Sequence, residues 1–315
     1  MKPLTEPTRI EGYEAVRMRS SSDDIDATFV PSAGMVGASL RDRGAELLHR
    51  NGGVHRYARG GSTMGIPLLH PWANRLAGDG YAVNGTAVRL DPASPLVQRD
   101  EHGLPIHGLL NGFSHWRRVE PDEGWALRAE VDFVEHPALL AGFPFPHCLC
   151  LDVALRRRTL TVRTTLTATG DRPVPVAFGF HPYLHLPDVA RERWRIDLPA
   201  MRHLELDARS IPTGATRALD AQSGPLGSRV FDDGYVDVPE GAEFVLAGGR
   251  RRVTVCLEQG YPVAQVFAPC SADVVCFEPM AAPTNALVTG DGLTHVAPGE
   301  RYVATFSITV ESAAR

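Results

Sequence analysis

The sequence predicts an all-β fold made largely of antiparallel strands, on three observations. Apolar and polar residues alternate with a period of two in the clearest segments, turn signals separate those segments at hairpin spacing, and no long stretch shows a capped helical period. The alternating runs are Leu160-Thr-Val-Arg-Thr-Thr-Leu-Thr-Ala168, Arg252-Val-Thr-Val-Cys-Leu257 and Tyr302-Val-Ala-Thr-Phe-Ser-Ile-Thr-Val310. Each buries one face of a strand and leaves the other wet. Turns are expected at Thr169-Gly-Asp171, Ala247-Gly-Gly249 and Pro298-Gly299. Helix is expected only in short pieces, around Pro137-Ala-Leu-Leu140 and from Asp188 to Trp194, and Gly214 to Gly227 reads as loop. The pattern fits two large facing sheets, or a sandwich elaborated into a wider one. With no repeat of fixed period and no low-complexity linker, residues 1–315 read as a single domain.

With 43% hydrophobic and 22% charged residues, the chain has the balance of an ordinary globular protein and offers no argument for disorder. A formal charge of -5 and a pI near 6.2 give no electrostatic reason to expect a nucleic acid or an anionic membrane as partner. A small neutral molecule fits better, bound by a monomer or a homodimer. The five cysteines, Cys148, Cys150, Cys256, Cys270 and Cys276, lack C-x-x-C spacing and cannot all pair, so they read as reduced core thiols. Met1-Lys-Pro-Leu-Thr-Glu-Pro carries no apolar leader core, and no run of roughly 18 apolar residues occurs, so a cytoplasmic location is the default.

Four islands carry chemistry. In Gly65-Ile-Pro-Leu-Leu-His70-Pro-Trp72-Ala-Asn74-Arg75, adjacent amide and guanidinium donors suit sugar hydroxyls, and Trp72 offers a face that stacks on a pyranose. The plainer reading is a structural ion pair for Arg75 and a core position for Trp72. In Ile106-His107-Gly108-Leu-Leu-Asn-Gly112, the glycines place His107 on a loop, where a lone His is commonly a surface residue. His181 follows the apolar run Val176-Ala-Phe-Gly-Phe180 and precedes Pro182-Tyr183, so its strand is expected to end where the imidazole emerges. Glu278 repeats that grammar, between Asp273-Val-Val-Cys-Phe277 and Pro279. A carboxylate there must be paired, protonated or useful, because burying an unpaired charge costs several kcal/mol. A dry imidazole and a dry carboxylate suggest an acid/base pair.

At these residues the chain resembles the aldose 1-epimerase (mutarotase) family. The resemblance covers Asn74-Arg75, His107-Gly108 with Gly112 and Trp116, His181-Pro182-Tyr183, Phe231-Asp232-Asp-Gly-Tyr235, and Glu278-Pro279 with Ala282-Pro283-Thr284. It implies a large antiparallel β-supersandwich, with His181 as general acid and Glu278 as general base. It also implies that Asn74, Arg75, His107 and Asp232 hold the sugar; Trp72 and Tyr183 are expected beside them as substrate-binding aromatics. Asp233 and Asp237 lie close enough to Asp232 for a loop alignment to slip. Leu68-Leu-His70-Pro-Trp72 stands where the galactose-type pattern has a Gly-Arg-aromatic run, so the bound sugar stays open.

The expected reaction is interconversion of the α and β anomers of an aldohexose, with Glu278 ionised and His181 charged at the start, and with no cofactor or metal required. One alternative is a hexose-6-phosphate 1-epimerase, in which Arg41 and Arg43, or Arg250-Arg-Arg252, would bind the phosphate. Another is a non-catalytic carbohydrate-binding β-sandwich. A zinc enzyme fits poorly, because His102 and His107 lack the H-E-x-x-H arrangement.

Overall fold

The computed structural model describes residues 4–20 and 24–313. A nine-stranded antiparallel sheet runs through Gln222–Pro225, Arg195–Leu198, Ala242–Gly248, Arg251–Gln259, Arg301–Ser312, Thr159–Ala168, His147–Arg156, Leu127–Asp132 and Arg117–Val119. All three alternating runs lie in its centre. Facing it, an eight-stranded sheet runs through Pro212–Leu219, Met201–Leu206, Phe231–Val236, Val263–Ala268, Val275–Met280, Gly179–Phe180 and Leu68–Leu69, with Tyr183–Leu184 also paired to Val275–Met280. A five-stranded sheet of Leu4–Ile10, Tyr13–Arg19, Ile25–Val30, Val36–Asp42 and Ala45–Glu46 completes the set of large sheets.

The two widest sheets meet through their inward side chains. Phe180 stands 4.9 Å from Phe306, centroid to centroid, and Phe277 stands 5.6 Å from Phe244, so aromatic pairs join one sheet to the other. All four rings are buried within one continuous apolar core. Removing such a ring costs about 3–5 kcal/mol through lost transfer energy and the cavity left behind. The strand immediately before and through Glu278 is therefore held from behind by the core.

Three local expectations are corrected. Gly214 to Gly227 is not loop: Pro212–Leu219 and Gln222–Pro225 are edge strands of the two widest sheets, so solvent-facing that no apolar alternation marks them. The strand does not close at Glu278, because Pro279 continues the ladder opposite Ala264 as far as Met280. A proline is tolerated in a strand where the ladder needs no N–H from it. Of the five cysteines, all free, only Cys276 is buried and Cys270 is exposed. Helix appears at Pro137–Gly142 and, as a single 3₁₀ turn, at Arg191–Arg193 within the expected segment; Gly53–Tyr57 and Ala286–Thr289 are short helices without a sequence forecast. Among the described residues no helix is long and apolar enough to cross a membrane.

Two buried polar clusters sit behind this frame. Asp42, fully buried, accepts from Arg158 Nη2 at 2.5 Å and Arg251 Nε at 2.8 Å, tying the five-stranded sheet to the nine-stranded one. Burial alone would raise its pKa, but these two guanidinium hydrogen bonds outweigh it and hold the carboxyl below its ordinary value. His70 and His147 meet Nε2 to Nε2 at 2.8 Å among Phe133, Phe143 and Phe178. His147 Nδ1 donates to the Phe145 carbonyl at 2.7 Å, so its Nε2 accepts the proton of His70. The His70 carbonyl in turn accepts from the N–H groups of Leu109 and Leu110, anchoring the chain just after His107.

Asp42→Ala leaves two cations facing a void and should destabilise the fold by about 3–5 kcal/mol, read as a lowered denaturant midpoint. Acid should act through the histidines. Burial lowers His147 to about 4 and pulls His70 well below its ordinary value, where the charge of His147 adds to the effect. The unfolded chain therefore binds protons that the native state refuses, and stability falls as pH drops from the ordinary His range toward 4, by up to ~1.4 kcal/mol per pH unit for each such His. A melting temperature that stays flat from neutrality to that pH would contradict the buried neutral pair.

Candidate active site

Strand register places the site. Asp232 pairs with Phe267, Phe267 with Cys276, and Cys276 with Tyr183, forming one cross-strand row; Gly234, Gln265 and Glu278 form the next. Because side chains repeat every second residue, both rows point to the same face of the sheet. Gly234 is the small member: a Cβ there would stand 3.2 Å from Oε1 of Gln265, which uses its Nε2 to hold Asp232 Oδ1 at 2.7 Å. The same period sends Asp233 to the opposite face, where His203 Nε2 meets its Oδ1 at 2.8 Å. Asp237 lies beyond the strand, 3.7 Å from Arg202. Register thus selects Asp232 from the three neighbouring acids.

The remaining side chains come from loops that approach this face. His107 has a left-handed backbone (φ 63°) between two isolated bridges, Arg75 to Ile106 and His70 to Gly108. Gly108, also left-handed, passes so close to the His70 carbonyl that a Cβ would sit 2.2 Å from its oxygen. Asn74 (φ 56°) accepts from the Arg75 Nη1 at 3.0 Å through Oδ1, and its backbone carbonyl accepts the His107 N–H.

Together they enclose a cavity of about 230 Å³ lined by Asn74, Arg75, Glu101, Ile106, His107, His181, Tyr183, Asp232, Phe267 and Glu278. Seven of the eight residues expected at the site from sequence line it. The exception is Trp72, which is 1% exposed, packed in the main core and absent from the cavity wall. Its place beside Ala177 in an isolated bridge turns it inward, so the stacking role foreseen for it is withdrawn. Phe267, with Tyr183, supplies an aromatic face to the cavity; its ring lies 5.8 Å from His181. The arginines foreseen for a phosphate are elsewhere: Arg41 pairs with Glu46, Arg251 with Asp42 and Asp188, and Arg252 with Asp197 and Glu311.

Sequence reasoning missed Asp100, Glu101, Gln265, Phe267 and Thr63. Asp100 Oδ2 accepts Arg75 Nε at 2.7 Å, and Thr63 Oγ1 lies 2.5 Å from the Tyr183 hydroxyl. Only the alternation opposite Glu278 and Asp232 marks Gln265 and Phe267 in the sequence.

His181 and Glu278 share the floor. Nε2 of His181 is 3.1 Å from Oε1 of Glu278 and 3.3 Å from the Tyr183 hydroxyl, and the Tyr183 ring stacks on the imidazole at 4.2 Å. Both titratable groups are buried, and burial dominates their protonation. It pushes the Glu278 carboxyl well up, with Asp232 adding and Arg75 opposing; it pulls His181 well down, with His107 and Arg75 adding. The pair expected as carboxylate and imidazolium is instead driven toward a carboxylic acid beside a neutral imidazole, sharing one proton. His107, lowered to about 3 by burial and Arg75 against Asp100, is neutral as well. Glu278 Oε2 and the Nδ1 atoms of His181 and His107 have no hydrogen-bond partner among the described residues. These three buried atoms leave hydrogen-bonding capacity that a polar molecule in the cavity could use. In infrared difference spectra at neutral pH, a protonated carboxyl C=O band should be present in the wild type and missing in Glu278→Gln; its absence from the wild type would place the proton on His181.

A family model described as aldose 1-epimerase matches residues 34–309. Among solved structures, the fold is similar to a galactose mutarotase-like protein from Clostridium acetobutylicum, with a TM-score of 0.84, 16% identity and 99% of each chain covered. It is similar also to a Synechocystis sp. PCC 6803 protein, with a TM-score of 0.76, 22% identity, and 99% of this chain and 97% of that one covered. A galactose mutarotase related enzyme from Lactobacillus acidophilus gives a TM-score of 0.74 and 15% identity over 99% of this chain and 100% of its own. At such identities the likeness to these structures is one of fold.

Proposed function

Because the chain belongs to the aldose 1-epimerase family, we propose that it interconverts the α and β anomers of an uncharged aldohexose or a close relative, with Glu278 and His181 as the proton-transfer pair. The single observation that carries this reading is the 3.1 Å approach of His181 Nε2 to Glu278 Oε1 on the floor of a cavity of sugar-like size. Opening a hemiacetal removes the proton on O1 and supplies one to the ring oxygen. Those two oxygens share one carbon, so the groups that serve them must stand side by side.

The O1 hydroxyl donates to Glu278, whose Oε2 is the free acceptor. His181 gives its proton to the ring oxygen, and the C1–O5 bond breaks to leave an open-chain aldehyde. Rotation about C1–C2 presents the other face of the carbonyl; the O5 hydroxyl attacks it, returning its proton to His181 while Glu278 protonates O1. Both groups finish as they began. His107, neutral and 5.6 Å from the His181 ring, is placed to hydrogen-bond the ring oxygen or its neighbour. Asn74, Arg75 and Asp232 hold the outer hydroxyls.

The charge around the cavity favours a substrate without phosphate. Its one lining cation, Arg75, is already paired with Asp100, while Glu101 and Asp232 add two carboxylates at the mouth. A phosphoryl group would meet net repulsion there. Nothing in the geometry favours a purely binding role, which has no use for adjacent buried acid and base.

Purified protein should accelerate the optical-rotation change of freshly dissolved α-glucose or α-galactose, and Glu278→Gln or His181→Asn should each reduce that acceleration by ~10²- to 10⁴-fold. Full activity in Glu278→Gln across several sugars would remove it as the base. The acid limb of the pH–rate profile should lie below the ordinary His range and the alkaline limb above the ordinary carboxylate range. The shared proton is lost only above the ordinary carboxylate range, since Glu278 is raised, and a second is gained only below the ordinary His range, since His181 is lowered.

A further inference from the structure

We propose that Asp100 is a positioning residue for this site: it fixes the Arg75 guanidinium against the cavity and balances its charge beside the proton-transfer pair. The activity readouts that test this role rest on the epimerase reading; the contact itself does not.

Asp100 is anchored before it ever meets Arg75. Its Oδ1 accepts the N–H groups of His102 and Leu104 at 2.9 and 2.8 Å, and its backbone N–H and carbonyl bond Leu104 and Gly103. The side chain is 2% exposed, so it is a rigid acceptor in a tight turn. Its second oxygen takes the Arg75 Nε, which turns the far end of the guanidinium inward: Nη1 to Asn74, and Nη2 toward Glu101 at 3.7 Å and Asp232 at 3.9 Å. Without that anchor, the two carboxylates would be free to draw Arg75 across the cavity. The groups that face His181 and Glu278 are His107, Tyr183, Cys276, Arg75 and Asp232, with Glu101 at the cavity mouth and Asp100 behind Arg75. Arg75 is the only cation among them, and Asp100 is its closest counter-charge.

Asp100→Asn tests this cleanly, because the amide oxygen still caps the turn while its NH₂ sets a donor against the Arg75 Nε–H. The expected result is a KM about tenfold higher with kcat much less affected. The acid limb of the pH profile should move ~0.5–1 unit lower, because an unbalanced Arg75 disfavours the extra proton. Asp100→Glu keeps the charge but displaces it, so KM should rise with the acid limb unmoved. In an Arg75→Ala background, Asp100→Asn should add nothing to KM. An additive penalty in that background, or an unmoved KM and acid limb in Asp100→Asn, overturns the proposal. An NMR signal from a slowly exchanging Arg Nε–H should vanish in both Asp100→Asn and Arg75→Ala; its persistence in Asp100→Asn also overturns it. If the wild type accelerates no sugar's mutarotation, the epimerase reading fails, and sugar affinity by calorimetry takes the place of KM in the same cycle. A Kd unchanged by Asp100→Asn would then sink this inference too.

Discussion

The contact between His181 and Glu278 is the constraint around which the molecule is organised. Two ionisable side chains in a dry site lose hydration worth several kcal/mol each if they stay charged and isolated. They are tolerable here because they sit within a hydrogen-bond length of one another and can share a single proton. That separation is set by backbone, not by flexible side chains. Glu278 lies in a strand fixed by ladder register, with Glu278 opposite Gln265 and Cys276 opposite Phe267, and its Phe277 is locked against Phe244 across the core. His181 is clamped by the stacked Tyr183 ring, and its N–H is bonded to the Pro67 carbonyl. Shifting the Glu278 strand by one residue would turn its carboxyl away from the cavity, so the register of the sheet is as much a part of the site as the two groups themselves.

Some of this was legible in the sequence and some was not. The three alternating runs were readable because each buries one face only, and they became the centre of the nine-stranded sheet. The grammar of apolar run, titratable residue and proline singled out His181 and Glu278, since a buried titratable group is rare enough to be informative by itself. It misjudged the end of the second strand, which carries on past Glu278 through Pro279. Asp100 gave no signal: an acid in Arg99-Asp-Glu-His-Gly103 looks like any polar turn, and its partner is 25 residues away. Trp72 erred in the other direction. Its neighbours Asn74 and Arg75 do line the cavity, but a side chain two or three positions earlier in an irregular segment is not bound to the same face, and Trp72 points into the core. The edge strands after residue 212 were invisible because hydrophobic periodicity reports burial, and these strands have little.

Behind the site, the fold keeps its charges apart from its chemistry. The Arg158–Asp42–Arg251 cluster is where the sheets are tied, and it absorbs Arg251, one of the cations that the sequence alone made available to a phosphate. His70 and His147 are buried as deeply as His181, yet they satisfy one another in a ring of phenylalanines and contact no part of the cavity. The distinction lies in what is left unsatisfied. The free atoms at the site, Glu278 Oε2 and two imidazole Nδ1 atoms, belong to residues that line one space, whereas the single free Nδ1 of His70 is surrounded by core.

The shared proton bears directly on the proposed chemistry. A carboxylic acid beside a neutral imidazole and a carboxylate beside an imidazolium contain the same number of protons, so passing from the resting form to the working form needs no exchange with solvent. Burial favours the first form. A sugar brings hydroxyl donors to the carboxylate, and these stabilise its anion, as Arg75 does from the side. In the proposed reaction, the sugar's own hydrogen bonds would shift the proton from Glu278 to His181, unmasking the base when a hydroxyl is in place to be deprotonated. Such coupling requires the two groups to be in contact, dry and otherwise unpaired, the three properties that the strand register and the apolar core impose together.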